Sequence, residues 1–77
     1  MDFQDWVDQQ EGKNQGERIA RAARILGEEA RTVSSWYYLQ GAPRISSAAM
    51  IVLKTGGAVD YNGIYRPHAT KKVKGRD

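Results

Sequence analysis

Few residues in this chain have the types and spacing that chemistry needs. His68 is the single histidine and there is no cysteine, so neither a thiolate centre nor a histidine cluster at metal-ligand spacing can be assembled. A nucleophile, histidine and carboxylate triad needs its histidine in a structured cleft. His68 instead follows Pro67 in a segment with little to bury. The run GKNQG, residues 12–16, lacks the Gly-Lys-Ser/Thr ending of a phosphate-cradling loop. These absences point away from an enzyme, a metal centre, a cofactor or a small-molecule substrate. What remains is cationic. The first twelve residues hold four acids and no base (−4), and the rest hold twelve bases and five acids (+7). A basic body beside an acidic first segment suits a polyanionic partner. The plain alternative is a solvated basic surface.

The elements that must position these charges can be read from apolar spacing. Seventy-seven residues make one small domain with a modest core. No apolar run approaches the roughly 18 residues of a membrane span. The opening MDFQDWVDQQ has three acids and no base, unlike a signal peptide, so a soluble intracellular protein is expected. Asp2 is expected to cap a first helix whose face carries Phe3, Trp6, Val7 and Gln10. Residues 11–16 read as a loop. A second helix is expected from about Glu17 to Leu26, with Ile19, Ala22, Ala23 and Leu26 as its buried stripe and Gly27 as its left-handed end.

A third helix is expected from about Ala30 to Leu39, with Val33, Trp36 and Tyr37 inward and Glu28-Glu29 favouring its N-terminus. Pro43 sits in a loop. Ser46 is expected to cap a fourth helix through about Lys54, with Ile45 and Met50 as a hydrophobic staple and Gly56-Gly57 closing it. In residues 58–67, Asn62-Gly63 suits either a two-residue hairpin turn or a helical turn burying Val59, Ile64 and Tyr65. The boundaries that follow are a domain over residues 1–67 and a mobile basic tail over residues 68–77. The fold class is all-α, a compact bundle of about five short helices. Trp6 and Trp36 read as core, and Tyr61 and Tyr65 as core or dimer contacts.

Residues 19–38 carry the most specific pattern. Ala23 is small enough for two helices to cross closely. Gly27 tolerates the positive φ of a tight turn. Val33 and Trp36 pin the next helix to the core and leave its opposite face proud, at a size that fits a major groove. The pattern A-x3-G-x5-V-x2-W, here Ala23, Gly27, Val33 and Trp36, resembles the helix-turn-helix of the Cro and repressor family. Over roughly residues 3–67 the chain is similar to the all-helical Cro proteins of lambdoid bacteriophages. Glu28 stands where that family has an apolar residue.

The resemblance implies a sequence-specific transcriptional repressor of a phage or prophage, acting in the bacterial cytoplasm on double-stranded operator DNA. It implies that the third helix presents Ala30, Arg31, Ser34, Ser35 and Tyr38 to base edges. Arg31 would pair with guanine and Ala30 would touch a thymine methyl. Thr32 is placed for phosphate. Arg18, Arg21 and Arg24, each three apart, form a slanting row that suits phosphate, or equally solvent with Glu17 paired to Arg21. Lys71 and Lys72, with Lys74 and Arg76, are further phosphate candidates in the tail. One such helix reads too few base pairs alone. A weak homodimer, cooperative on DNA, is therefore expected, with Val59, Ile64 and Tyr65 as its interface. Two other classes compete: an antitoxin-like module that acts through a protein partner, and an excision or architectural factor that bends DNA.

Overall fold

The computed structural model describes the backbone of residues 1–76 and the side chains of residues 1–70. It contains five α-helices, and no strand among the described residues: α1 (Phe3–Asp8), α2 (Gln15–Leu26), α3 (Ala30–Tyr37), α4 (Ile45–Lys54) and α5 (Tyr61–Arg76). The helices enclose one core. Phe3, Trp6 and Val7 of α1 meet Ile19, Ala22, Ala23 and Leu26 of α2 and Val33 and Trp36 of α3. Ala48, Ile51, Val59 and Ile64 close it from the other side. The Phe3 ring sits 6.2 Å from Trp6 and 6.1 Å, edge to face, from Trp36.

The helix starts differ from those expected, each for a local reason. Asp2 stands at the α1 N-cap, but its side chain makes no cap hydrogen bond, so it acts through charge near the helix dipole alone. Helix α2 begins two residues before Glu17, because Asn14 inside the loop-like run is a working cap. The Asn14 side-chain oxygen accepts from the Glu17 amide (2.9 Å), and the Glu17 carboxylate accepts from the Lys13 amide (2.9 Å). This is the reciprocity of a capping box, shifted by one residue.

Helix α4 begins at Ile45 with Arg44 at its N-cap and no side-chain cap, so Ser46 lies within the first turn rather than before it. Ile45 and Met50 are then five positions apart within one helix, about 140° around its axis, and cannot staple each other. Both are exposed. The preceding loop is held from elsewhere: the Tyr65 hydroxyl donates to the Pro43 carbonyl at 2.8 Å.

Helix α2 ends at Gly27, whose φ is +71°, and the Glu28 amide donates back to the Ala23 carbonyl at 2.9 Å. A Cβ at Gly27 would meet nothing within 4 Å. Its replacement therefore tests backbone conformation alone. Gly27→Ala is expected to cost roughly 1–2 kcal/mol in denaturant unfolding, and Gly27→Asn less, since asparagine tolerates the left-handed region. Equal costs for the two variants would show that something other than φ is being lost.

Helix α3 is shorter than expected. Tyr38 is its C-cap, and Leu39 takes a left-handed φ of +62° with no glycine to ease it. The Leu39 amide donates to Trp36 (3.2 Å) and the Gln40 amide to Ser35 (2.8 Å), the two bonds of a Schellman end.

Residues 58–67 resolve the open alternative in favour of helix. The Asp60 carboxylate accepts from the Gly63 amide at 2.7 Å, which caps α5, so Asn62-Gly63 lies in its first turn and not in a hairpin. A side chain at Gly63 would run into the Met1 carbonyl. Helix α5 continues through Pro67, so the boundary expected after residue 67 falls inside a helix. No helix among the described residues is long and apolar enough to cross a membrane.

Candidate nucleic-acid interface

Helices α2 and α3 are joined by three residues, Gly27, Glu28 and Glu29. Within α3, Val33 is fully buried and Trp36 nearly so. At 3.6 residues per turn, Ala30, Arg31, Ser34, Ser35 and Tyr38 occupy the opposite arc. Their exposure agrees with that arc: Ala30, Arg31 and Tyr38 are exposed, and Ser34 and Ser35 are half-buried. Thr32 is half-buried on the flank. Ser35 lies at the edge of the face, where the following chain folds over it: its carbonyl accepts from Gln40, and Gly41 packs close to its hydroxyl.

The C-terminal half of α3 is tied to α1 by polar contacts that apolar periodicity does not reveal. The Gln4 amide nitrogen donates to the carbonyls of Trp36 and Tyr37, at 3.3 Å each, and so satisfies the end of α3 from a neighbouring helix. The Gln4 Oε1 is buried with no hydrogen-bond partner, so the amide orientation is set by these two carbonyls. The Tyr37 hydroxyl donates to Asp8 Oδ1 at 2.7 Å, and the Gln15 amide donates to the same oxygen at 2.8 Å. Tyr38 then packs edge-on against Tyr37, with ring centroids 4.9 Å apart.

These contacts shift two acidities. The Tyr37 hydroxyl first, and the Gln15 amide second, hold the Asp8 carboxyl below its usual 3.8, with the Arg18 charge adding to the effect. Burial first, then the hydrogen bond to Asp8 and its charge, push Tyr37 up from 10.0 to about 12. A lowered carboxyl stabilises the fold above its unfolded value, and that contribution is lost as pH falls through the folded value, below 3.8. A raised phenol stabilises fully below its unfolded value, and that contribution is lost between pH 10.0 and about 12. Tyrosinate absorbance is therefore expected to show a late step near 12. Tyr37→Phe should delete that step and Asp8→Asn should move it down. A titration in which Tyr37→Phe removes an earlier step would contradict the Asp8 contact.

The arginine row divides. Arg21 and Arg24 are exposed on the outer side of α2. Arg18 is half-buried, its guanidinium donating to Gln15 Oε1 at 3.3 Å beside Asp8 and Tyr37. The three do not form one equivalent phosphate track, because Arg18 turns toward the junction of α1 and α3. Lys71, Lys72, Lys74 and Arg76 lie outside the described side chains. The interface expected at Val59, Ile64 and Tyr65 is corrected: Val59 and Ile64 are 0 % and 1 % exposed, and Tyr65 packs on the core. Both aliphatic side chains complete the monomer's interior and have no surface to offer. Tyr61 is exposed and is not a core residue.

Sequence reasoning left aside one residue of the candidate surface, Glu29, and one that supports it, Gln4. Glu29 is the exposed N-cap residue of α3, and its carboxylate makes no cap hydrogen bond. It stands next to Ala30, where a carboxylate can accept from the amino group of cytosine. Gln4 positions α3 from below. A polar residue three before Val7, bordering the apolar face of α1, was the only sequence signal for it. No family model, curated protein or solved structure matches this chain.

Proposed function

We propose that α2 and α3 form a helix-turn-helix, and that the protein is a sequence-specific DNA-binding repressor of the kind its Ala23, Gly27, Val33 and Trp36 pattern resembles. The observation that carries this reading is the outer face of α3. It combines one exposed arginine, two serines and an exposed tyrosine, and the helix beneath is fixed by two buried side chains and two interhelical polar links. Such a face is rigid, projecting and rich in groups that match base edges. Arg21 and Arg24 supply phosphate contacts and counterion release. No bond is made or broken. Repression follows from occupying a site that transcription needs.

The test is selection of bound duplexes from a random-sequence pool, followed by footprinting on the DNA that flanks the protein's own gene. Two copies are expected on a pseudo-palindromic site whose half-site centres lie about 34 Å apart, one helical turn. Affinity should fall with salt at a log-log slope of about −0.9 per phosphate contact. A pool that yields no sequence preference, with binding that is weak even at low salt, overturns the reading.

A further inference from the structure

Helix α4 is apolar on two sides, and the monomer uses only one of them. Its sequence, ISSAAMIVLK, buries Ala48 and Ile51 and half-buries Val52 against the core. Yet Ile45 and Leu53 are each 71 % exposed and Met50 is 42 % exposed, with Ala49 exposed between them. Ile45, Ala49 and Leu53 are spaced i, i+4 and i+8, so they line one strip of the helix surface, and Met50 borders it. A helix that is apolar all round is normally covered all round.

We propose that this strip is the contact between two copies of the chain, with α4 packed antiparallel on α4 of a second copy and the two-fold axis passing beside Ala49. The pattern suits an isologous contact, in which residue i meets j and j meets i. Ile45 and Leu53 stand four residues on either side of Ala49, so an antiparallel pair sets each Ile45 against Leu53 of the second copy. Ala49 at the crossing has the small side chain that close approach requires, down to an interaxial distance of about 8 Å.

The exposed strip amounts to roughly 400 Å² per copy, half of the about 800 Å² per partner that a standard interface buries. The association is therefore weak and easily reversed. Arg44 and Lys54 stand five residues on either side of Ala49, so the same pairing brings like charges together at the ends of the strip. Apolar contact drives the pair and charge opposes it, so added salt strengthens it. Use of the pair on two half-sites rests on the DNA-binding reading. The contact itself does not.

The experiment uses free protein, without DNA. The chain contains no cysteine, so Ala49→Cys introduces a single thiol. A two-fold axis beside residue 49 brings the two Cα atoms within the roughly 4.4–6.8 Å that a disulfide spans. Under mild oxidation, A49C is expected to cross-link at least tenfold faster than A20C, which places its thiol on the exposed side of α2. Adding Leu53→Glu to A49C should remove that advantage. In sedimentation, Leu53→Glu alone should raise the dimer dissociation constant at least tenfold, and the wild-type constant should fall between low and high salt. Leu53 is exposed, so folding should survive the change, as circular dichroism can verify. An A49C rate no greater than that of A20C overturns the proposal. So does self-association that salt weakens, or that grows beyond a dimer. Fast A49C cross-linking in a protein that selects no DNA would uphold the contact and remove the repressor reading.

Discussion

Replacing Arg31 with alanine is expected to weaken binding to the selected site by roughly 1–3 kcal/mol, while binding to unrelated DNA changes far less. Arg31 is exposed in the first turn of α3, opposite buried Val33. A guanidinium there can make two parallel hydrogen bonds to the O6 and N7 of one guanine, a geometry no neighbouring side chain on this face can copy. Random DNA rarely offers that guanine in register, so its binding rests on phosphate charge. Folding should be nearly unchanged, because the position is exposed and alanine favours helix. Arg21→Ala provides the contrast. If its guanidinium meets phosphate, it should weaken both kinds of DNA by a similar factor and reduce the salt slope by about 0.9. Paired titrations at one salt concentration decide the matter. Equal losses on both DNAs for Arg31→Ala would make Arg31 a phosphate contact, and no loss on either would take α3 out of the groove.

Glu29 sharpens that comparison. Its exposed carboxylate stands two residues before Arg31, at the start of the same helix. Near a duplex it repels phosphate, which lowers affinity for every sequence. Such a charge is tolerable in a reader when it discriminates, because repulsion against wrong sites is one way to raise a specificity ratio. Among the acids of α1, Asp8 is exposed, but its carboxylate already accepts from Tyr37 and Gln15.

What was legible in the sequence was whatever rests on local periodicity. The stripe of Ile19, Ala22, Ala23 and Leu26 is buried as its spacing demands, and Gly27 and Gly56-Gly57 take the positive φ expected of helix ends. What was not legible depended on contacts distant in sequence. Val59 and Ile64 read equally well as a surface to share with a second copy. Only the packing of α4 and α5 makes them interior. Ile45 read as half of a staple with Met50 and Leu53 as an ordinary helix residue, and only that packing shows which side of α4 is left uncovered. Asn14 was hidden by its glycine-rich neighbours, although Asn-x-x-Glu is itself a helix-start signature. The tie from Tyr37 to Asp8 spans 29 residues and leaves no periodic trace. The face of α3 was legible because it is the complement of a two-residue apolar anchor.

That anchor gives the largest effect expected on the fold. Trp36 is 7 % exposed, meets Phe3 edge to face at 6.1 Å, and carries one of the two carbonyls that Gln4 satisfies. Trp36→Ala removes the largest side chain beneath α3 and should cost roughly 3–5 kcal/mol. A domain of this size has a total stability near the low end of about 5–15 kcal/mol, so most of its margin would vanish. The melting temperature should fall by on the order of 20 °C, since each kcal/mol shifts a domain of this size by about 4–8 °C. Trp36→Phe keeps an aromatic edge against Phe3 and should lose much less. Trp6 remains in either variant as a fluorescent reporter of the core. DNA binding should disappear in Trp36→Ala in step with helicity, the reverse of Arg31→Ala, where binding is lost from a folded protein. If Trp36→Ala instead kept its melting temperature while losing DNA affinity, the indole would be acting on the DNA side of α3, and the assignment of the two faces would have to be exchanged.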